Sequence, residues 1–354
     1  MVAAVSSPAP APLVRAGEAC RALVALVALA LGAALAFALW VQPDFKLFWF
    51  VGRHPALAYD VEAVHSPEFA RLGAAFGPHD HLPFGYPPTL LLLLGPLGLL
   101  PPLAAKMLWS GGWCAAFAWT AWRDTRWATA LLAFSAPLLW CAAIGQTGLM
   151  ISTLVIAGFQ RLDERPRLAG ALLAVAACLK PQALVLAPLV LWGRWEVVRA
   201  AALAGIAMVL ASLAFGPGLW PEWARSLPRF QAIVGHAYLK VGPGDLLPGL
   251  WWRALLIAAG LAFAWRRRDL WGLLVGGLLC APYVQLYDLA GLSFLGATLV
   301  RDARRERAVV VVFGGIVTLC VAAPALTTLY CAGLVAICEW RAAARRRLAA
   351  EAAA

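Results

Sequence analysis

From Cys20 to Val41 the chain is apolar apart from Arg21, a run of about 20 residues, which is the length a helix needs to cross a bilayer core. Similar runs recur at Leu103–Trp122, Trp127–Ile144, Leu149–Gln160, Leu168–Leu179 and Gln182–Trp192, in a run ending at Phe215, and at Gly249–Trp265, Leu270–Tyr283, Leu289–Val300, 308–323 and 326–340. Short polar clusters separate them, and the alternation predicts roughly twelve membrane-crossing helices. One further apolar run, between Pro87-Pro88 and Pro101-Pro102, is only about 15 residues long and short of a perpendicular span. It either spans or lies in the outer leaflet and re-enters. The re-entrant arrangement keeps the later basic clusters on one side of the membrane. Two stretches are too polar for lipid: residues 42–86, with Asp60, Glu62, His65, Glu68 and the His79-Asp80-His81 triplet, and residues 216–248, with Trp220, Trp223, Arg225, Arg229, His236, Lys240 and Asp245.

Charge orients this pattern. Arg15 and Arg21 precede the first span, which puts the N-terminus inside by the positive-inside rule and the 42–86 stretch outside. Most of the 29 basic residues then fall inside, in clusters such as Arg161–Arg167, Arg266-Arg267-Arg268 and Arg345-Arg346-Arg347. The chain has four lysines, Lys46, Lys106, Lys180 and Lys240, and all four fall on the outer side. Of 354 residues, 63% are hydrophobic and 13% charged, so the fold class is an all-α integral membrane bundle with external juxtamembrane helices. The net charge of +11 is spread as loop clusters, which excludes nucleic acid as a partner. Eight cysteines occur singly inside apolar runs, in neither zinc nor disulfide spacing. Residues 1–19 read as a disordered cytoplasmic tail, 20–340 as the membrane domain with external loops 42–86 and 216–248, and 341–354 as a basic cytoplasmic tail.

Candidate chemistry gathers on the outer side. Asp44 follows the first span directly, flanked by Lys46 and the aromatics Phe45, Phe48, Trp49 and Phe50. A carboxylate at the hydrocarbon boundary is costly without a partner or a task. Asp60, Tyr86, Gln146, Lys180, His236, Lys240, Tyr287 and Asp288 come to the same side. A carboxylate can take a proton from a hydroxyl, and nearby cations can stabilise a phosphate leaving group. No Walker A loop, no GxGxxG and no Asp-x-Asp pair is present.

The wording of these segments carries a family resemblance. Pro43-Asp44-Phe45 with Phe48-Trp49, Tyr59-Asp60, Phe84-Gly85-Tyr86-Pro87-Pro88, Gly145-Gln146-Thr147-Gly148 and Leu179-Lys180-Pro181-Gln182 occur in an order that resembles glycosyltransferase family 87, over about residues 38–300. The resemblance implies a GT-C-type membrane glycosyltransferase that moves a hexose or pentose, mannose favoured, from a polyprenyl-phosphate donor to a lipid or glycan hydroxyl with inversion. It implies Asp44 as catalytic base and Lys180 at the donor phosphate, with Lys46, His236 or Lys240 assisting. Asp60, Tyr86, Gln146, Tyr287 and Asp288 are then expected at the substrates. The expected setting is the external face of the plasma (inner) membrane, with membrane lipids as surroundings. No cofactor is called for, and a divalent cation at the external carboxylates stays open. The chain departs from the family at Pro282-Tyr283-Val284-Gln285-Leu286-Tyr287-Asp288, where Pro followed by Trp-Asp-His is common. Two alternatives belong to other classes: a lipid-linked-sugar transporter or flippase, against which the chain shows no internal repeat, and an inactive assembly subunit.

Overall fold

The computed structural model describes residues 12–40, 42–73, 83–237, 241–303 and 309–353, and these contain helices and turns but no strand. In chain order, α1 is Pro12–Ala38, α2 Pro43–Arg53, α3 Pro67–Ala70, α4 Leu91–Gly98, α5 Pro102–Thr125, α6 Ala136–Ile144 and α7 Gly148–Phe159. Then come α8 Pro166–Leu179, α9 Ala187–Val190, α10 Trp195–Ser212, α11 Leu219–Ala237, α12 Leu250–Arg267, α13 Leu270–Cys280 and α14 Ala290–Ala303, followed by Gly315–Ala322 and Pro324–Ala353. Proline opens many of them: Pro12, Pro43, Pro67, Pro102, Pro166 and Pro324 each stand at a helix's first residue. The first helical N–H has no intrahelical partner, so proline loses nothing there and its fixed φ favours the helix.

Among the described residues two helices are long and apolar enough to cross a membrane, Gly17–Ala38 and Trp195–Phe215, or three if the bent pair Pro102–Phe134 and Ala136–Ile144 counts as one span. The other apolar helices are shorter, so the expected count of about twelve crossings does not follow from helix length. Helix α1 begins at Pro12, ahead of the boundary expected for the first span and within the stretch expected to be a disordered tail, and the last helix runs on through the basic C-terminal stretch to Ala353. The single crossing expected over 127–144 is broken. A 3-10 helix covers Arg126–Phe134, Ser135 is extended, and α6 continues at 68° to the preceding segment. Pro137 is the cause: it has no N–H for the Ala133 carbonyl and its ring crowds that turn. The segment after Pro87-Pro88 is a 3-10 turn plus α4, together Pro88–Gly98. That is about 16 Å of helix, half a hydrocarbon core.

Helix α1 lies along α5. A Cβ on Gly32 would stand 2.9 Å from the Gly111 Cα, and one on Gly111 would stand 2.9 Å from the Leu29 carbonyl oxygen, so glycine on both helices sets how closely they pack. The outward faces of α1 and α10 carry exposed Leu23, Leu26, Phe37, Leu203, Ile206 and Leu210, as a lipid-facing surface requires. Two buried clusters form the interior. One is built around Phe45, Phe48, Leu91, Met150 and Leu179, the other around Cys141, Leu149, Val284, Leu289 and Phe294. Helix α8 runs from the basic stretch at Arg165 and Arg167 to Lys180, about 20 Å. It therefore has an arginine end and a lysine end. At the arginine end Arg123 meets Glu164 at 2.9 Å, Arg194 meets Asp163 at 2.6 Å and Arg167 meets Glu196 at 3.1 Å. Three of the arginines that the charge pattern places on one side, Arg123, Arg167 and Arg194, thus meet carboxylates at this end.

Candidate active site

At the lysine end the two clusters meet around a cleft. Its wall includes Asp44, Leu47 and Phe48 from α2, Tyr86, Gln146 and Lys180 from loops, Gln182 from the 3-10 helix Pro181–Leu184, Phe230 from α11, and Tyr283, Gln285 and Tyr287. The cleft holds about 730 Å³ of empty space, its open mouth included.

Asp44 is set by the start of α2. Gln42 is extended at the N-cap, Pro43 opens the helix and Asp44 lies in its first turn, where the helix dipole favours a negative charge. Its neighbours Phe45, Lys46 and Phe48 are buried, which locks α2 against the first cluster. Gln146 Nε2 donates to Asp44 Oδ2 at 3.1 Å, and Tyr86 donates its hydroxyl to Gln146 Oε1 at 2.9 Å. The Tyr86 hydroxyl also lies 3.0 Å from Thr147 Oγ1, and Tyr59 donates to the Tyr86 carbonyl at 2.9 Å. Burial raises the Asp44 carboxyl pKa above its ordinary value, opposed by the Gln146 hydrogen bond and the nearby Lys106 charge. An elevated pKa of this kind suits a proton acceptor.

The Gly145-Gln146-Thr147-Gly148 loop is glycine-bracketed for a physical reason. Gly145 has φ +77°, and a Cβ there would stand 2.7 Å from that of Phe45. A Cβ on Gly148 would fall 2.1 Å from the Tyr287 carbonyl oxygen. The loop is held between the α2 side and the Tyr287 side, which leaves Gln146 facing Asp44. Trp109 Nε1 donates to the Gly145 carbonyl at 2.9 Å and fixes the turn.

Across the cleft, Lys180 is the residue after α8 and is 5% exposed. It is ion-paired with Asp288 and its Nζ lies 4.8 Å from the centre of the Tyr287 ring. Asp288 in turn accepts the Gln285 backbone N–H at 3.0 Å, closing a capping box on the turn before α14. Gln182 donates to the Tyr283 hydroxyl at 3.2 Å. Beside Lys180 the cleft adjoins an apolar cavity bordered by Gly148, Ile151, Val155, Leu274, Gly277 and Leu278, with Lys180, Gln182 and Tyr283 shared between the two.

The structure therefore brings Asp44, Tyr86, Gln146, Lys180 and Tyr287 to one cleft, with Asp288 behind Lys180. It does not bring Lys46 there: that ammonium is buried against Trp40 and donates to the Gly73 carbonyl at 3.3 Å. Asp60 is exposed and caps the 3-10 helix Val61–His65 by accepting the Glu62 N–H at 2.9 Å, beside a neighbouring crevice. Lys240, the His236 side chain and the His79-Asp80-His81 triplet lie outside the described residues. Sequence reasoning missed Thr147, Gln182, Tyr283 and Phe230. The first two sit beside residues it did select, and only Phe230, on a distant amphipathic helix, carried no signal.

A buried lysine and a buried carboxylate thus line one cleft, with an apolar cavity next to the lysine. The family model of glycosyltransferase family 87 matches residues 84–324, more than half of the chain, and the chain belongs to that family. It is a membrane glycosyltransferase acting on a sugar donor and an acceptor. No curated protein and no solved structure matches it. The match begins after Asp44, so that residue's place in the site rests on its hydrogen bond to Gln146, which lies within the matched region.

Proposed function

We propose that the chain transfers a hexose or pentose, mannose favoured, from a polyprenyl-phosphate donor to a hydroxyl of a lipid or glycan acceptor, with inversion, at the external face of the plasma membrane. The observation that carries this reading is the cleft itself. Asp44 and Lys180 line one cleft, and an apolar cavity shares Lys180, Gln182 and Tyr283 with it. A donor of this class fits that sequence of surfaces: the sugar by Asp44, the phosphate by Lys180, and the polyprenyl chain along Ile151, Val155 and Leu274.

The reaction then runs as a single displacement. Asp44 accepts the proton of the acceptor hydroxyl, and the oxygen attacks the anomeric carbon from the face opposite the phosphate. The bond from the anomeric carbon to the phosphate oxygen breaks, and its electron pair leaves with the polyprenyl phosphate. Lys180 stabilises the charge gathering there, acting as a compact point charge. Gln146 holds the Asp44 carboxylate, and Tyr86 and Thr147 hold Gln146. The GT-C architecture, the topology of about twelve crossings and the embedded 87–101 segment belong to the same proposal, supported by the separation of the arginine end from the cleft end.

The test is transfer of labelled sugar from synthetic polyprenyl-phosphate-mannose by the purified protein, run over a set of hydroxyl acceptors, beside Asp44→Asn. Transfer by the wild type and none by the variant is the expected result. Equal transfer by both removes Asp44 from the base role. Silence of the wild type with every lipid-phosphate sugar and acceptor, while donor still binds, overturns the reading.

A further inference from the structure

An apolar groove lies apart from the cleft, between α1, α5, the 3-10 helix Arg126–Phe134 and α6, and it holds about 980 Å³ of empty space, its open side included. It shares no bordering residue with the cleft or with the cavity beside Lys180. Phe117, Leu132, Leu138, Ala142 and Leu149 form its buried floor, while Leu23, Val27 and Leu31 are exposed at its rim. Along α1 it runs from Leu23 to Leu35, which is about 18 Å of helix against a hydrocarbon core of about 30 Å. That length matches the depth of one leaflet rather than of the whole bilayer.

The groove ends at arginines. On α1, Arg21, Val24, Ala28, Leu31 and Leu35 recur at helical spacing, which puts Arg21 on the groove's face, one turn before Val24. Its Nε donates to the Trp119 carbonyl at 2.9 Å and its guanidinium carbon lies 4.1 Å from the centre of the Trp119 ring. Those two contacts hold the guanidinium in place and leave its terminal nitrogens without a protein acceptor among the described residues. Arg126 is exposed and stands one turn ahead of Thr129 and Ala130, which border the groove from the 3-10 helix. Among the described residues neither Arg21 nor Arg126 is in an ion pair, whereas Arg123 is answered by Glu164, and Asp124 is turned to Gln160 Nε2 at 2.8 Å. Arg161, Arg123 and Arg126 each stand near enough to repel Arg21, and Glu18, which attracts it, acts less strongly than any of them. The open end of an apolar groove therefore carries uncompensated positive charge.

We propose that this groove seats a hydrocarbon chain of a phospholipid with an anionic head group, whose phosphate lies at Arg21 and Arg126. Charge and length select that occupant together. An apolar helix of a second copy would cover the floor and leave the arginines unanswered, and a free phosphate would meet the arginines and leave the groove empty. Arginine forks suit phosphate oxygens, and an anionic lipid on this side of the membrane brings them at the right depth. The seat is independent of every role proposed for the cleft. It does back onto the cleft's framework: Ala142 and Leu149 of the floor flank the turn that carries Gln146, where Cys141 Sγ lies 3.1 Å from the Gln146 carbonyl oxygen and 3.2 Å from the Leu149 nitrogen. A seated chain packs against the back of that turn.

The experiment is native mass spectrometry of the purified full chain, titrated in detergent with dioleoyl-phosphatidylglycerol or with zwitterionic dioleoyl-phosphatidylcholine of the same chains. The first phosphatidylglycerol is expected to bind about ten-fold more tightly than phosphatidylcholine, from two arginines at one phosphate. Arg21→Gln with Arg126→Gln should remove that preference. Ala133→Phe, placed at an exposed position that borders the groove, should weaken both lipids and leave their ratio unchanged. Equal affinity of the two lipids for the wild type overturns the head-group contact, and binding untouched by Ala133→Phe overturns the groove. Arg194→Gln is the control, an arginine that does not border the groove; a loss there equal to that of the double variant reduces the effect to general surface charge and overturns the seat. Because Arg21 also holds Trp119, a cryo-EM map of the wild type in phosphatidylglycerol nanodiscs answers without any substitution. Chain density in the groove ending at Arg21 supports the seat, and an empty groove or a helix from a second copy overturns it. None of these readouts requires sugar transfer, so a silent transfer assay leaves the seat standing, and an active one does not establish it.

Discussion

Arg194 and Asp163 meet at 2.6 Å with side chains 38% and 85% exposed, whereas Lys180 and Asp288 pair at the far end of α8 with side chains only 6% and 14% exposed. The first pair belongs to a belt of arginine–carboxylate contacts joining the turns at one end of the helices. The second belongs to a chain of groups, each held by another: Gln285 on Asp288, Asp288 on Lys180, Tyr287 beneath it. Exposed arginine forks are cheap to form and cheap to lose, so they suit the task of orienting a chain in a membrane. Buried lysines are expensive, and their charge is felt strongly by whatever enters beside them. The same formal charge thus does two jobs, and burial decides which.

The sharpest way to break this comparison is at Asp44. With asparagine there, kcat is expected to fall by about 10² to 10⁴-fold, the usual contribution of a positioned base, while donor binding measured separately stays near wild type. Next is Lys180→Met, which removes the leaving-group cation and also strands Asp288. The expected loss of stability is about 3–5 kcal/mol, as for one partner of a buried pair, read from the chemical or thermal midpoint in detergent. Adding Asp288→Asn should restore most of that stability and none of the transfer. Recovery of transfer in the double variant would show that Lys180 matters only as a partner to Asp288.

Smaller and more diagnostic is Gln146→Leu. Its hydrogen bond holds the Asp44 pKa down against burial. Without it that pKa rises further, so the base is protonated over more of the acidic range. The acidic limb of kcat against pH should move to higher pH, with activity at alkaline pH much less affected; an unmoved limb would separate Gln146 from the base. The smallest effect is expected at the other end. Arg194→Gln breaks an exposed pair and should cost less than about 1 kcal/mol, with transfer unchanged. A loss of transfer there comparable with that at Lys180 would erase the distinction between the two ends.

Much of this was readable from the order of residues. The apolar runs marked where helices lie: the predicted Leu168–Leu179 and Leu270–Tyr283 correspond closely to α8 and α13. The clustering of arginines also marked the turns where Arg123, Arg167 and Arg194 meet carboxylates, and Lys180 lies at the other end of α8. Asp44, Gln146 and Lys180 stood out because a polar side chain beside an apolar run is costly wherever the run ends. The break at Ser135 was less visible, since Pro137 reads as a helix start as easily as a kink. Lys46 and Lys180 looked alike in the sequence, two lysines beside Phe, Pro and Leu, and were grouped at one phosphate.

What one-dimensional order determines here is the helical membrane class, the family and the cast of polar residues, because each depends on local composition and on runs of length set by the bilayer. Which of those residues face one another is decided only in three dimensions. Asp44 reaches Gln146 across 102 positions and Lys180 reaches Asp288 across 108, and no local rule fixes a pairing over such separations. It follows from close packing, where glycines at 145 and 148 let the loop fit between Phe45 and Tyr287. The same packing turns Lys46 toward Trp40 and away from Lys180's cleft.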